Sequence, residues 1–274
     1  ALLVSFPANA SQLILAQNGI SEYVIVIGDQ ASASEKYAAE EFQRFFSEIT
    51  GVTLPIVKDT EPARTHEVIL GNNQRLRQIG VTVDIPGLGE EGYIILTKAN
   101  RLILAGSPKR GTLYAVYAFL EDQLGCRWFT PDVSQIPRKE TINIPPLEAK
   151  HVPIFEYRSV GWISAQDTIW AARNRVNTGI ADEIHGGGVS ILGGVHNFHS
   201  ILPPDRYFSK HPEYYPVING KREYQNAQLC MTNPDVVRRV TAELKNRLEQ
   251  NPGTSLIGLG QEDWGGWCEC PDCK

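Results

Sequence analysis

The sequence predicts an α/β protein in two parts. Residues 10–148 read as an N-terminal α/β domain whose sheet is covered by two helices, and residues 149–274 as the first half of a truncated (β/α)8 TIM-type barrel. Three observations carry this. Short apolar runs of strand length recur around two segments whose apolar residues fall at helical spacing. Prolines at 145, 146 and 153 then bracket the polar stretch LEAKHV, which reads as a connection because proline blocks both helix and ladder. Beyond it strands and helices alternate, as in parallel βαβ units, and a barrel is their natural closure. A closed barrel takes about 250 residues, roughly twice the length of chain beyond the connection, so the chain reads as a fragment.

In the first domain the expected strands are 12–15, 23–27, 54–57, 67–70, 92–97, 101–105 and 141–144. The first helix opens on Ser32 and Glu35 at capping-box spacing. It carries Ala38, Phe42, Phe45 and Ile49 on one face and stops before Gly51. The second follows the turn GSPKRG, carries Leu113, Val116, Tyr117, Leu120 and Leu124, and stops before Gly125. That turn, with Lys109 and Arg110 at a helix start, has the makings of a phosphate cradle. It lacks the Walker spacing, which favours a plain helix entry.

In the second part, 166–177 has helical spacing at Ile169, Ala172, Arg173 and Val176, and 189–192 is a short strand running into GGVHNFHS. His196 and His199 follow that strand in a glycine-rich loop, a setting for sugar contact more than for a paired metal site. Segment 205–223 holds Tyr207, Phe208, His211, Tyr214 and Tyr215, suited to carbohydrate stacking or to a packed loop. A helix over 232–249 starts at Thr232, Pro234 and Asp235, repeats Val236, Val240 and Leu244, and can pair Glu243 with Arg247. Strand 255–259 ends at Gly260 and delivers Glu262, Asp263 and Trp264 to the rim where parallel α/β proteins keep their chemistry. Neighbouring side chains of an extended segment point to opposite faces, so one carboxylate of the two faces a cleft. Asp263 is favoured because it adjoins Trp264, a stacking platform, with Glu262 second. Capping or ion pairing is the plainer role for either.

Cys268, Cys270 and Cys273 lie within six residues, and Cys230 is a natural fourth ligand. Four sulfurs suit a closed, structural zinc site, with disulfides and free thiols as the alternatives. Catalytic zinc fits poorly, since it keeps an open position and usually takes His or carboxylate ligands. No cofactor is expected for catalysis. Cys126 reads as a core thiol.

A net charge of −5, a pI near 5.7 and the absence of a basic stripe argue against nucleic acid as a partner. No run approaches the ~18 apolar residues of a membrane span. The apolar opening ALLVSFPANA ends in the small-x-small pattern Ala8-Asn9-Ala10, which reads as the remnant of an export signal and hence a secreted, periplasmic or surface protein.

The order ASEKYAAEEFQRFFSEITG, VILG, GYIIL, LILAG and GTLYAVYAFLEDQLGCRWFTPD resembles the non-catalytic α/β domain ahead of the barrel in bacterial α-glucuronidases and β-hexosaminidases. LGCRWFTPD, YFSKHPEYYPVINGKR, QLCMTNPDVV and CECPDC are together similar to the bacterial family called domain of unknown function 4838. The first resemblance implies that Arg158, in FEYRSVGW, matches a sugar-contacting arginine on the first barrel strand; an ion pair at a domain interface is its plainer role. The hexosaminidase carboxylates run Asp-Glu on a later strand, whereas here the order is Glu-Asp. The expectation is a glycosidase-like protein acting on a polysaccharide or oligosaccharide by carboxylate acid/base chemistry. In it Asp263 or Glu262 is catalytic and Arg158, His196, His199 and Trp264 bind sugar. The alternative is a carbohydrate-binding or recognition protein without hydrolysis.

Overall fold

The computed structural model describes residues 12–178, 182–254 and 256–274. The export pattern at Ala8-Asn9-Ala10 and the first residue of the expected strand 255–259 lie outside the described residues. The chain divides into two compact units between Gly188 and Val189, so residues 149–188 belong with the first.

The first unit runs β1 (Leu13–Ala16), β2 (Val24–Ile27), α1 (Ala33–Thr50), β3 (Ile56–Lys58), β4 (Glu67–Leu70), α2 (Gln74–Gln78), β5 (Tyr93–Lys98), β6 (Arg101–Gly106) and α3 (Gly111–Phe119). It continues with β7 (Arg127–Trp128), β8 (Ser134–Gln135), β9 (Ile142–Ile144), β10 (Glu148–His151) and α4 (Thr168–Arg173). Six strands form one sheet in the order β10-β5-β6-β4-β2-β3, parallel from β3 to β6 and antiparallel at β5 and β10.

Strand periodicity sorts the core into two layers. Ile25, Ile27, Val68, Leu70, Leu102 and Leu104 face α1 and α3. Val24, Val26, Ile69, Ile103 and Ala105 face Leu76 of α2 with Val81, Val83 and Leu88. The two expected helices thus share one face. The other is closed by a five-residue helix and a loop, both too short for a periodic signal.

Ser32 and Glu35 form the expected capping box, and Gly51 ends α1 at φ 80°. α3 runs on into a π-helical turn, Leu120–Leu124, before Gly125. Arg110 of the GSPKRG turn is buried against Glu91 at 2.7 Å and donates to the Gly187 carbonyl at 2.8 Å, while Lys109 pairs with Glu90. Those cations are neutralised within the fold, which makes the turn a helix entry. Cys126 is fully buried, and burial pushes its thiol up to about 12.

Two expectations need correction here. LEAKHV is not a free connection: β10 pairs with β5 along the sheet edge, which an exposed polar strand can do. Segment 155–162 forms no strand. It has no neighbouring strand to pair with; instead the Arg158 N–H donates to the Asn177 side-chain oxygen at 2.8 Å, and the Asn177 N–H donates to the Arg158 carbonyl at 3.2 Å. Helix 166–177 shortens to α4, capped by Asp167, and Arg173 reaches Glu41 of α1.

The second unit runs β11 (Ile191–Leu192), α5 (Phe198–Ile201), α6 (Pro204–Tyr207), β12 (Val217–Ile218), β13 (Lys221–Arg222), α7 (Pro234–Gln250) and β14 (Leu256–Ile257). β11 and β14 pair in parallel, Ile191 opposite Leu256. Among the described residues this is one parallel pair, where half a barrel was expected. Tyr214 and Tyr215 are fully buried with Phe198, Leu202, Leu229, Val236 and Val240, so these two aromatics are core. β12 and β13 form a hairpin turning at Asn219 and Gly220, both at positive φ. The cap of α7 is Asn233, whose side chain accepts from the Asp235 N–H at 2.9 Å; Thr232, the expected cap, turns toward the cysteines.

Candidate functional site

Because β11 and β14 are parallel, the loops leaving their carboxyl ends emerge at one rim. Residues 193–199 and 258–264 meet there. Asn197, itself buried, ties them: its amide donates to the Gly258 carbonyl at 2.8 Å and accepts from the Gly260 N–H at 3.0 Å. The loops approach so closely that a β-carbon on Gly258 would collide with the Gly194 carbonyl oxygen.

The two carboxylates face different ways, Glu262 inward and Asp263, at a bend in the chain, outward. Glu262 is 6% exposed and accepts the His199 backbone N–H at 2.8 Å, the amino end of α5. Asp263 has its side chain 86% exposed, with one oxygen 4.0 Å from His196 Nε2. His196 holds the left-handed φ of 55° that a β-carbon disfavours, and its Nδ1 lies 2.8 Å from the Gln261 carbonyl. His199 sits 6.0 Å from the Trp264 ring and 6.2 Å from Tyr215, centroid to centroid. Burial pushes its imidazole below the ordinary value, against the opposing pull of Glu262, and its Nε2 is buried without a hydrogen-bond partner. Trp264 is partly open and its Nε1 donates to the Ala227 carbonyl at 3.1 Å.

His196, His199, Glu262, Asp263 and Trp264 therefore come together. Arg158 belongs to the first unit, where its guanidinium pairs with Glu91 at 2.6 Å and donates to the Phe155 and Arg175 carbonyls. Two residues that sequence reasoning passed over organise the rim: Asn197, and fully buried Gln228, whose side chain bonds both backbone groups of Glu262. The one signal for Gln228 was a polar residue amid the otherwise apolar AQLC run.

The four cysteines Cys230, Cys268, Cys270 and Cys273 cluster with all sulfurs within 4.8 Å of one another, close enough to hold a metal ion. Cys230 Sγ is 3.8 Å from Cys270 Sγ and 3.9 Å from Cys273 Sγ. Thiolate sulfurs about 2.3 Å from a tetrahedral zinc stand about 3.8 Å apart, whereas disulfide sulfurs stand about 2 Å apart. Donors surround the set: the Val217 N–H points at Cys268 Sγ at 3.4 Å, and Thr232 Oγ1 lies 3.0 Å from Cys273 Sγ. The neighbouring Cys268 thiol draws Cys270 below the ordinary thiol value, while burial pushes Cys268 above it.

The family described as Domain of unknown function (DUF4838) matches residues 128–274, and Glycosyl hydrolase family 67 N-terminus matches residues 14–119. No curated protein matches the chain. Similar solved structures include a family GH115 4-O-methyl-α-glucuronidase with specificity for decorated arabinogalactans, at 12% identity over 89% of this chain and 35% of that one, TM-score 0.45. A Flavobacterium johnsoniae chitobiase is 14% identical over 93% and 43%, TM-score 0.44. A β-N-acetylhexosaminidase from Bacteroides fragilis is 14% identical over 96% and 56%, TM-score 0.41. The chain thus spans about a third to just over half of these proteins' lengths. With TM-scores below 0.5, they assign no residue role here.

Proposed function

From the premise that this chain belongs to the DUF4838 family, we propose that it acts on a polysaccharide or oligosaccharide as part of a glycoside-hydrolase-like protein, with the rim of β11 and β14 as its sugar face. The observation that carries this is the open carboxylate of Asp263 beside His196 and next to the half-open ring of Trp264, at the carboxyl ends of parallel strands. The match of residues 14–119 to a glycosyl hydrolase N-terminus supports it. In this reading β11 and β14 are neighbouring barrel strands, Asp263 is the acid/base group, Trp264 stacks on a sugar ring and His196 and His199 contact hydroxyls. Glu262 is the second candidate carboxylate. Cys230, Cys268, Cys270 and Cys273 hold a structural zinc, and the protein is exported.

A second reading, carbohydrate recognition without hydrolysis, is favoured by one fact. Hydrolysis usually needs two carboxyl groups flanking the bond, and Glu262 is already engaged by the His199 N–H. Screening the full-length protein against aryl glycosides, glucuronides and natural polysaccharides, with Asp263→Asn and Glu262→Gln beside wild type, separates the two. Hydrolysis lost in Asp263→Asn with binding retained supports the enzyme. Binding without turnover on any substrate supports recognition. Neither binding nor turnover sinks both.

A further inference from the structure

We infer that the metal held by the four cysteines is what sets the geometry of the rim, through Gln228, so that the sugar face of the second unit is ordered only in the metal-bound protein. The sugar arm of this inference rests on the proposed function; the ordering itself does not.

Two stretches of chain run side by side, 226–230 and 262–268. They are joined along their length. The Gln228 N–H donates to the Gly266 carbonyl at 3.0 Å, and Trp264 Nε1 donates to the Ala227 carbonyl at 3.1 Å. The Gln228 side chain accepts from the Glu262 N–H at 2.9 Å and donates to the Glu262 carbonyl at 3.0 Å and the Gly265 carbonyl at 3.2 Å. A β-carbon on Gly266 would meet the Asn226 carbonyl and Ala227 Cα, so the stretches touch backbone to backbone.

One end of this ladder is the rim, Glu262 to Trp264. The other is the cysteine cluster, where Cys230, two residues past Gln228, meets Cys268, Cys270 and Cys273. No β-ladder backs the pairing, and the second stretch contains Gly265 and Gly266, the residues that gain most freedom when released. The sulfur spacing fits a zinc tetrahedron, and a bound divalent ion closes the loop between positions 230 and 268. Without the ion no coordinate bond joins Cys230 to the 268–273 segment, and the closure is lost. Gln228 then has no fixed partner for Glu262, and Trp264 loses its place against His199. The cysteines and Gln228 are positioning residues; none touches the sugar.

The test uses the full-length protein as purified. Elemental analysis should find about one zinc per chain, and replacement by Co2+ should give the visible bands of a tetrahedral tetrathiolate. Hydrogen exchange followed by mass spectrometry then reads peptides spanning 258–267. Chelation, or Cys230→Ser, should raise exchange there at least tenfold and weaken binding of whichever oligosaccharide the wild type binds; added Zn2+ should restore the chelated protein. Gln228→Leu should keep the metal and still raise exchange at 262–265, a result that global unfolding would not give. Protection unchanged at 258–267 after metal loss, or in Gln228→Leu, overturns the inference. So does a purified protein whose four cysteines are oxidised in disulfides with no metal bound. If no sugar binds under any condition, the proposed function fails while the exchange result still decides the coupling.

Discussion

Gln228 grips Glu262 by both backbone groups, accepting from its N–H at 2.9 Å and donating to its carbonyl at 3.0 Å. With Glu262 held this way, its side chain turns inward to the His199 N–H, and the next residue, Asp263, is left facing solvent.

Replacing Gln228 with Leu keeps the volume but leaves the Glu262 N–H and several carbonyls without partners in a site closed to water. Unsatisfied buried groups cost about 1–3 kcal/mol each. The expected loss is about 3 kcal/mol by urea unfolding of the second unit. A loss below about 0.5 kcal/mol would show that water replaces the amide.

In the first unit Glu41 is buried between Arg173, at 2.9 and 3.1 Å, and the Tyr117 hydroxyl, at 3.0 Å. Removing Arg173 leaves the buried carboxylate with Arg44, at 3.5 Å and largely solvated, as its cationic partner. Arg173→Ala should cost about 3–5 kcal/mol, and Glu41→Gln with Arg173→Met together should cost less than the single Arg173→Ala change. Equal costs would mean that the pair is solvated.

His199 carries a pH signature. Burial lowers its pKa in the folded protein below the unfolded value of 6.5. The neutral ring is favoured by folding, so its contribution to stability is present above pH 6.5 and is lost as pH falls through the lowered folded value. Wild type should lose more stability between about pH 7 and 5 than His199→Phe. Parallel urea midpoints for the two proteins across that range would refute the assignment.

Gly258 lies where β14 passes the Gly194 carbonyl. Gly258→Ala should separate the two loops and cost more than about 2 kcal/mol, since backbone cannot step aside as a side chain does. Gly253→Ala, where a β-carbon meets nothing within 4 Å, is the control, and thermal melts of both variants check it.

Local pattern in the sequence was sufficient wherever the stabilising contact closes within a few residues or repeats along one element. The capping box of Ser32 and Glu35, the apolar stripe of α1, the alternating faces of β2, β4 and β6, and the Glu243–Arg247 pair all arise from such spacing. The rim was legible too, because glycine after an apolar run and ahead of carboxylates marks a strand's end. Tertiary structure decided what depends on partners far along the chain. Segment 148–151 becomes a strand only because β5 offers an edge, and 155–162 stays irregular for want of one. Glu262 turns inward, leaving Asp263 outside, because Gln228, 34 positions earlier, holds its backbone. Cys230 meets Cys270 across 40 positions, which residue spacing suggests and packing alone can bring to 3.8 Å.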